Sequence, residues 1–360
     1  MPGVPIRAAT EADNFALREL ERSCPQGTRL KLYSERDDYF LRSRLYGNDH
    51  TLVAEDRQQG RLIGVMAAAL KEVYLGGAVR PAVFFYDLRV HPDYRRSVLG
   101  RHMLGVWNAM ERWAQDSGAH LIYGLVKHDN DPMIGMRDKR SGYRFVGSME
   151  VVSRAVFRRR RVPEMPEEVR PDDAELPRGV WQRYGRRDFY PAAFRHELLT
   201  PAMASTGLFS YFRLRRGGSW AALGLFRAAR VQRTRVVRIP SGYKLLRPLF
   251  AALSPLLPLP RIPLEGGSLG YYCLFNPLAE GPQGLALWRE LVAYANNLAL
   301  EEGATLLTGA FDPGDPSDPF LVEFRRGALN RIDYLLGVRP LVPGLPEKPQ
   351  GYFPDARDMN

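Results

Sequence analysis

Two rhythms of apolar residues alternate along the first half of the chain. Ile6-Arg7-Ala8-Ala9 reads as a short strand stopped by Thr10, and Thr10-Glu11-Ala12-Asp13 as a helix start with a hydroxyl N-cap and an acid three residues on. Phe15, Leu17, Leu20 and Cys24 then supply an apolar helix face. Strands are predicted over 51–55, 62–74 and 83–90, with Gly76-Gly77 as a hairpin turn between the last two. Residues 83–90 are almost continuously apolar, which predicts a central strand covered on both faces. From Ser97 the period lengthens: Leu99, Met103, Val106, Trp107, Met110 and Trp113 recur at helical spacing and stop at Gly118. A buried strand over 119–126, a short helix ending near Gly142 and a strand over 143–157 complete the half.

Residues 158–177 change character. Four consecutive arginines, prolines and acids leave little to bury, so this stretch reads as a linker with a solvated basic run. Beyond it, strands are predicted over 220–231, 269–275, 304–311 and 332–338, with a helix over 285–300. Strand, helix, strand, short helix, strand repeats the order seen over 83–157, a repeat of topology without repeat of sequence. The division expected is 1–157, a linker 158–177, and 178–360.

A length of 360 residues agrees with two domains, and 45 % hydrophobic with 25 % charged residues excludes wholesale disorder, collagen or coiled coil. Two cysteines, Cys24 and Cys273, exclude a disulfide framework and fit a reducing, cytoplasmic setting. The six histidines show no metal-ligand spacing, so no metal is expected. Residues 1–5 have no basic region followed by an apolar core, and no secretory signal is expected there. The most membrane-like stretch, 243–264, carries Lys244, Arg247, Arg261 and prolines at 248, 255, 258, 260 and 263, which would break a spanning helix. It reads as a short helix with an extended connector; no membrane partner is expected, surface attachment being the minor alternative. The net charge of +11 favours anionic partners. However, 45 arginines against 6 lysines is a bias that a GC-rich genome produces without selection for nucleic acid.

Local arrangement is more informative than total charge. In Val90-His91-Pro92-Asp93-Tyr94-Arg95-Arg96-Ser97-Val98-Leu99-Gly100 a buried strand ends, a basic turn follows, and a helix begins. A helix start offers unpaired N–H groups and the positive dipole end, and Arg95, Arg96 and Arg101 around it would make a pyrophosphate cradle. The competing reading is a basic helix start facing water.

This V-x-P-x-x-R-x-x-G-x-G-like segment on a strand–turn–helix resembles motif A of the GNAT acetyltransferases, in which a R/Q-x-x-G-x-G/A loop holds the acetyl-CoA pyrophosphate. Arg95 matches the R/Q and Gly100 the last small residue, whereas Val98 stands where the first glycine is expected. Asn130 and Gly142-Tyr143 resemble motif B, but Asp138 occupies the position where many members carry a tyrosine acid. Along its whole length the chain resembles the plant Hookless-type N-acetyltransferases. The matching features run from Arg89-Val90, Pro92 and Arg95-Arg96 through Met110-Glu111-x-Trp113, Gly118-Ala119 and Asp129-Asn130 to Ser219-Trp220-Ala221-x-Leu223, Gly281-Pro282, Asn297-Leu298-Ala299 and Phe353-x-Asp355. The resemblance implies an α/β (α+β) fold of two tandem GNAT-like domains. Each would be a mixed, mostly antiparallel sheet flanked by helices, the second degenerate.

It also implies direct acetyl transfer from acetyl-CoA to an amine. Cofactor contacts are expected at Leu88, Arg89, Val90, Arg95, Arg96, Ser97, Val98, Leu99, Gly100, Arg101 and Asn130. An amine must lose a proton before attack, and Asp87, on an otherwise apolar strand, is the base candidate because burial would raise its pKa. The competing role for Asp87 is a carboxylate paired with an arginine such as Arg89 or Arg144. Tyr86 and Tyr143 are candidate acids, with a core aromatic as the plainer reading of each. In the second half Glu280 falls where the first has Arg95, which opposes pyrophosphate binding, so this copy would shape an acceptor cleft or a homodimer surface. Asp312, Asp315 and Asp318 lie among Pro and Gly and read as turns, without calcium-loop spacing. Two alternatives stay open: a CoA-fold regulatory protein without catalysis, and, less favoured, an arginine-rich nucleic-acid binder.

Overall fold

The computed structural model describes residues 4–27, 30–95, 99–135, 142–170, 172–253 and 263–359. The first half contains β1 (Ile6–Ala8), α1 (Asn14–Ser23), β2 (Lys31–Glu35), α2 (Leu41–Arg44), β3 (Asp49–Asp56), β4 (Arg61–Leu75), β5 (Ala78–Val90), α3 (Leu99–Asp116), β6 (Leu121–Lys127), α4 (Asp131–Gly135) and β7 (Arg144–Ala155). Then come β8 (Glu167–Val169), α5 (Glu175–Tyr184), α6 (Pro201–Ala204), β9 (Phe209–Arg216), β10 (Ser219–Phe226), β11 (Arg233–Arg238), α7 (Ser241–Leu253) and β12 (Ser268–Leu269). The chain closes with β13 (Tyr271–Glu280), α8 (Gly284–Glu301), β14 (Leu306–Phe311), α9 (Pro319–Arg325) and β15 (Asn330–Pro340).

Local chemistry sets several boundaries. The Thr10 N–H donates to Asp13 Oδ2 at 2.8 Å, and Arg7 pairs with the same carboxylate at 2.7 Å, fixing the approach to α1. Leu17, Leu20 and Cys24 of the expected apolar face are buried against Val53, Leu62 and Val65, but Phe15 is 71 % exposed and lies off that face. The β4–β5 hairpin turns on Gly76 and Gly77 with φ of 60° and 78°, a pair of dihedrals in which a Cβ is costly.

Twelve strands form one sheet in the order β1-β3-β4-β5-β6-β15-β7-β14-β13-β10-β9-β8. Only β5–β6 and β13–β14 pair in parallel among the described residues; the other ladders are antiparallel. The two halves exchange their last strands. The C-terminal β15 inserts between β6 and β7, while β7 pairs on its other edge with β14. Each parallel pair is bridged by a helix of 18 residues, α3 or α8, so β5-α3-β6-α4-β7 and β13-α8-β14-α9-β15 share one order. Helix α3 packs Val106, Trp107, Met110 and Ala114 on Met66, Ala68, Val83 and Phe85. Helix α8 packs Leu287, Trp288, Leu291 and Ala295 on Ala221, Leu223, Tyr272 and Leu307.

Three segments differ from the sequence reading. The strand expected over 220–231 is instead the second arm of a β9–β10 hairpin turning at Gly217-Gly218, followed by a 3-10 turn at Ala228–Arg230. Strand β13 runs past Phe275 to Glu280. The 158–177 stretch contains β8, whose buried Val169 pairs with Tyr211 of β9, and the first residues of α5. A separate three-stranded sheet, β12-β11-β2, joins residues 200 apart in sequence.

Candidate active site

Strand β5 is the element on which the site is built. It pairs with β6 from Ala82↔Leu121 only as far as Phe85↔Gly124. Beyond Phe85 it continues to Val90 on β4 alone, and a bulge there places two residues, Asp87 and Leu88, opposite Met66. Asp87 sits at φ 52°, a left-handed conformation that Asp tolerates better than most residues. Among the described residues one edge of β5 from Tyr86 to Val90 therefore has no strand partner, and the sheet opens between β5 and β6. Gly124 is the last paired position, and a Cβ there would lie 2.4 Å from the Phe85 ring. The second half has the same device: β13 pairs with β14 only to Leu274↔Gly309, and Asn276 sits at φ 47° beside a register shift.

Beyond the bulge, Leu88, Arg89 and Val90 are half-buried. The Leu88 carbonyl accepts from Arg89 Nη1 at 3.0 Å, and the Val90 carbonyl accepts from Arg95 Nε at 3.0 Å and Cys24 Sγ at 3.2 Å. Arg95 is thus anchored at the strand terminus on an exposed turn. That turn, Pro92–Tyr94, is braced by His91 Nδ1, which accepts from the Asp93 N–H, and by Arg61, which pairs with Asp93 at 3.2 Å and covers the Tyr94 ring. Leu99, Gly100 and Arg101 form the first turn of α3. Arg96, Ser97 and Val98 lie outside the described residues. Asn130 opens α4: its carbonyl accepts from the Met133 and Ile134 N–H groups at 3.0 Å.

Asp87 is not the free carboxylate expected of a base. Its Oδ2 accepts from Arg36 Nη1 at 2.7 Å and its Oδ1 from Arg42 Nη1 at 2.8 Å, all three side chains being buried. Burial would raise its pKa, as the sequence reading anticipated, but the two guanidinium groups outweigh that and hold it well below the usual carboxylate range. The arginines concerned are neither Arg89 nor Arg144. Arg36 also reaches Glu21 Oε1 at 3.0 Å, and burial pushes the Glu21 carboxyl up to about 7 against that pairing. Glu21, Arg36 and Arg42 were absent from the sequence reading; the one signal for them was a carboxylate on an apolar strand, which requires a buried cation.

Tyr86 is tied down as well. Its hydroxyl meets Ser43 Oγ at 2.8 Å, Arg42 lies 4.5 Å above its ring, and burial pushes its phenol up. Tyr143 differs. Its ring packs edge-on against Trp107 at 4.8 Å and Phe85 at 6.1 Å, and its buried hydroxyl has no hydrogen-bond partner among the described residues. Burial, with Glu111 nearby, holds that phenol well above its ordinary pKa, so it stays protonated.

On the face of the sheet opposite α3, the C-terminal segment closes over the first half. Lys71 Nζ contacts Asp355 Oδ2 at 2.7 Å and Asp358 Oδ1 at 3.0 Å; Tyr46 and Tyr123 hydroxyls donate to Asp358, and Arg357 pairs with Asp355 at 2.6 Å. In the second half the corresponding helix start is filled. Glu280 accepts from the Trp220 indole at 2.9 Å, Ser219 Oγ accepts from the Gln283 N–H, and Gly284 packs so closely that a Cβ would lie 3.1 Å from the Ala279 backbone. Asp312 and Asp318 accept backbone N–H groups of Gly314, Tyr352 and Phe320, as turn residues do. Among the described residues no group of three or more His, Cys, Asp or Glu side chains could hold a metal ion.

Comparison with known proteins bears on family and fold. The profile of the Acetyltransferase (GNAT) family matches residues 14–143. A rice protein, Acetyl transferase GW6a, is 28 % identical over 300 residues, covering 76 % of this chain and 66 % of its own length. An Arabidopsis thaliana protein, Probable N-acetyltransferase HLS1, is 23 % identical over 352 residues, covering 84 % and 85 %. The crystal structure of Saccharomyces cerevisiae N-myristoyltransferase with bound myristoyl-CoA shares the fold at a TM-score of 0.58, with 9 % identity, over 97 % of this chain and 88 % of that one. Residues 14–143 thus belong to the GNAT acetyltransferase family, and the chain as a whole resembles its plant Hookless-type members.

Proposed function

We propose that the chain is an acyl-CoA-dependent N-acyltransferase that uses acetyl-CoA and transfers the acetyl group directly to an amine. The carrying observation is the open edge of β5 from Tyr86 to Val90, with Arg95 anchored on the Val90 carbonyl at its end and α3 beginning at Leu99. An extended strand edge can bind the amide-rich pantetheine arm as a further strand would bind, and backbone N–H groups along it can stabilise an oxyanion. Arg95, Arg96 and the first turn of α3, including Leu99, Gly100 and Arg101, would hold the pyrophosphate. Bound acetyl-CoA supplies an activated thioester. Asp87, already held by two arginines, positions the bulge rather than taking the amine's proton. Tyr143, protonated and without an acceptor among the described residues, is the residue suited to donate to a departing thiolate. The names of the rice and Arabidopsis relatives support acetyl as the group carried. We read the second half as a degenerate copy of the same unit, with Glu280 and Gly284 filling its cofactor position.

The test is release of free thiol from acetyl-CoA across a panel of protein lysine, N-terminal, polyamine and small-molecule amines. Amine-dependent thiol release supports the reading. Binding of CoA with no release for any amine would favour the non-catalytic CoA-fold reading, to which Val98 and Asp138 point.

A further inference from the structure

None of the described side chains of helix α7 is buried. Residues 241–249 are all exposed, with Tyr243 at 55 %, Leu245 at 80 %, Leu246 at 46 % and Leu249 at 52 %, and Val237 and Leu264 flanking the helix are exposed as well. At 100° per residue, Leu245, Leu246 and Leu249 fall within one arc, and Lys244 and Arg247 on the other side. A row of leucines left in water costs free energy, and contiguous apolar patches of this kind mark interaction surfaces.

Charge selects the partner. Residues 231–253 contain five basic side chains (Arg233, Arg235, Arg238, Lys244 and Arg247) and no acid. Glu35 pairs with Arg235, Glu265 with Lys244 at 2.8 Å, and Asp37 approaches Arg233 at 3.9 Å. Arg238 and Arg247 have no ion pair among the described residues. Two copies meeting through this face would bring those arginines together, whereas an anionic bilayer would neutralise them while its acyl region received the leucines. No helix among the described residues is long and apolar enough to cross a membrane, so the contact would be superficial.

We propose that α7 and the β11 strand leading into it form a peripheral docking element for anionic lipid surfaces, with Leu245, Leu246 and Leu249 inserting at the interface and Arg238, Lys244 and Arg247 facing the headgroups. The element hangs from the small sheet that β11 forms with β2, so docking would orient the first half's α1–α2 side toward the lipid.

The experiment is vesicle flotation of the full chain with phosphatidylcholine alone and with phosphatidylcholine mixed with phosphatidylglycerol, at low and high salt. The chain is expected to float with the mixed vesicles at low salt, weakly at high salt, and not with phosphatidylcholine alone. Leu245→Asp/Leu249→Asp should abolish flotation without shifting the melting temperature. Lys244→Gln/Arg247→Gln should weaken it roughly 25-fold, from about fivefold per basic residue near an anionic surface. No flotation with mixed vesicles, or flotation of the leucine variant equal to the parent, would overturn the proposal. So would light scattering that finds a dimer converted to monomer by the leucine substitutions, which would assign the face to a second copy.

Discussion

Replacing Asp87 with Asn probes the bulge on which the open strand edge depends. The carboxylate is buried and carries two arginines at 2.7 and 2.8 Å. Asn keeps the shape and tolerates φ 52°, so backbone strain changes little; what disappears is the anion between Arg36 and Arg42. Removing one partner from a buried ionic cluster typically costs about 3–5 kcal/mol, because the remaining charge stays desolvated. Against a net stability of roughly 5–15 kcal/mol, that is a large fraction. Urea unfolding followed by tryptophan fluorescence is the assay. Asn276→Gly is the control at the matching position of the second half, where φ is 47° and no charge is involved, and it should cost far less. An Asp87→Asn protein within about 1 kcal/mol of the parent, with an unchanged denaturant slope, would refute the claim that these two arginines hold the bulge.

Glu21→Gln should raise the melting temperature at pH 8. Its folded-state pKa of about 7 exceeds the ordinary 4.5, so the unfolded chain releases the proton first, and the cost of burying the carboxylate grows from pH 4.5 to 7 and persists above. The gain should vanish below about pH 4.5 in a melting series; equal stability of the two proteins across pH 5–8 would contradict the assignment. Lys71→Met leaves Asp355 and Asp358 without their shared cation and should destabilise by about 3–5 kcal/mol, with early proteolysis near the C-terminus as its signature. Gly124→Ala puts a methyl group 2.4 Å from the Phe85 ring and should cost about 1–3 kcal/mol in urea unfolding and raise KM for acetyl-CoA. Tyr143→Phe should leave CoA affinity unchanged and lower kcat by about a hundredfold or more, read by steady-state thiol release.

The strongly periodic elements were legible from sequence because burial imposes their pattern. Helix α3, the β4–β5 hairpin and the continuously apolar β5 all follow from local residue choice. Strand β2 was not legible: Lys31–Glu35 is half-buried throughout, and its partner β11 lies 200 residues on. The β9–β10 hairpin carried its Gly217-Gly218 signal, but the apolar run after it drew the strand too far. Insertion of β15 between β6 and β7 is a long-range pairing that no local pattern encodes.

The site divides along the same line. The strand end at Val90, the turn at Pro92–Tyr94 and the helix from Leu99 are local and could be read directly. The partners of Asp87 could not, because buried arginines look like surface residues in a chain that has 45 of them. Several of them are structural: Arg36, Arg42, Arg183, Arg213, Arg216 and Arg357 all lie in ion pairs with carboxylates.

Calorimetric titration of the chain with acetyl-CoA, beside an Arg95→Ala/Arg96→Ala variant, decides whether the β5 edge and the basic turn after it hold CoA. Stoichiometric binding by the parent, weakened about tenfold or more in the variant by loss of charge-assisted phosphate contacts, is expected. No heat of binding from the parent, or equal affinity in both proteins, would contradict it.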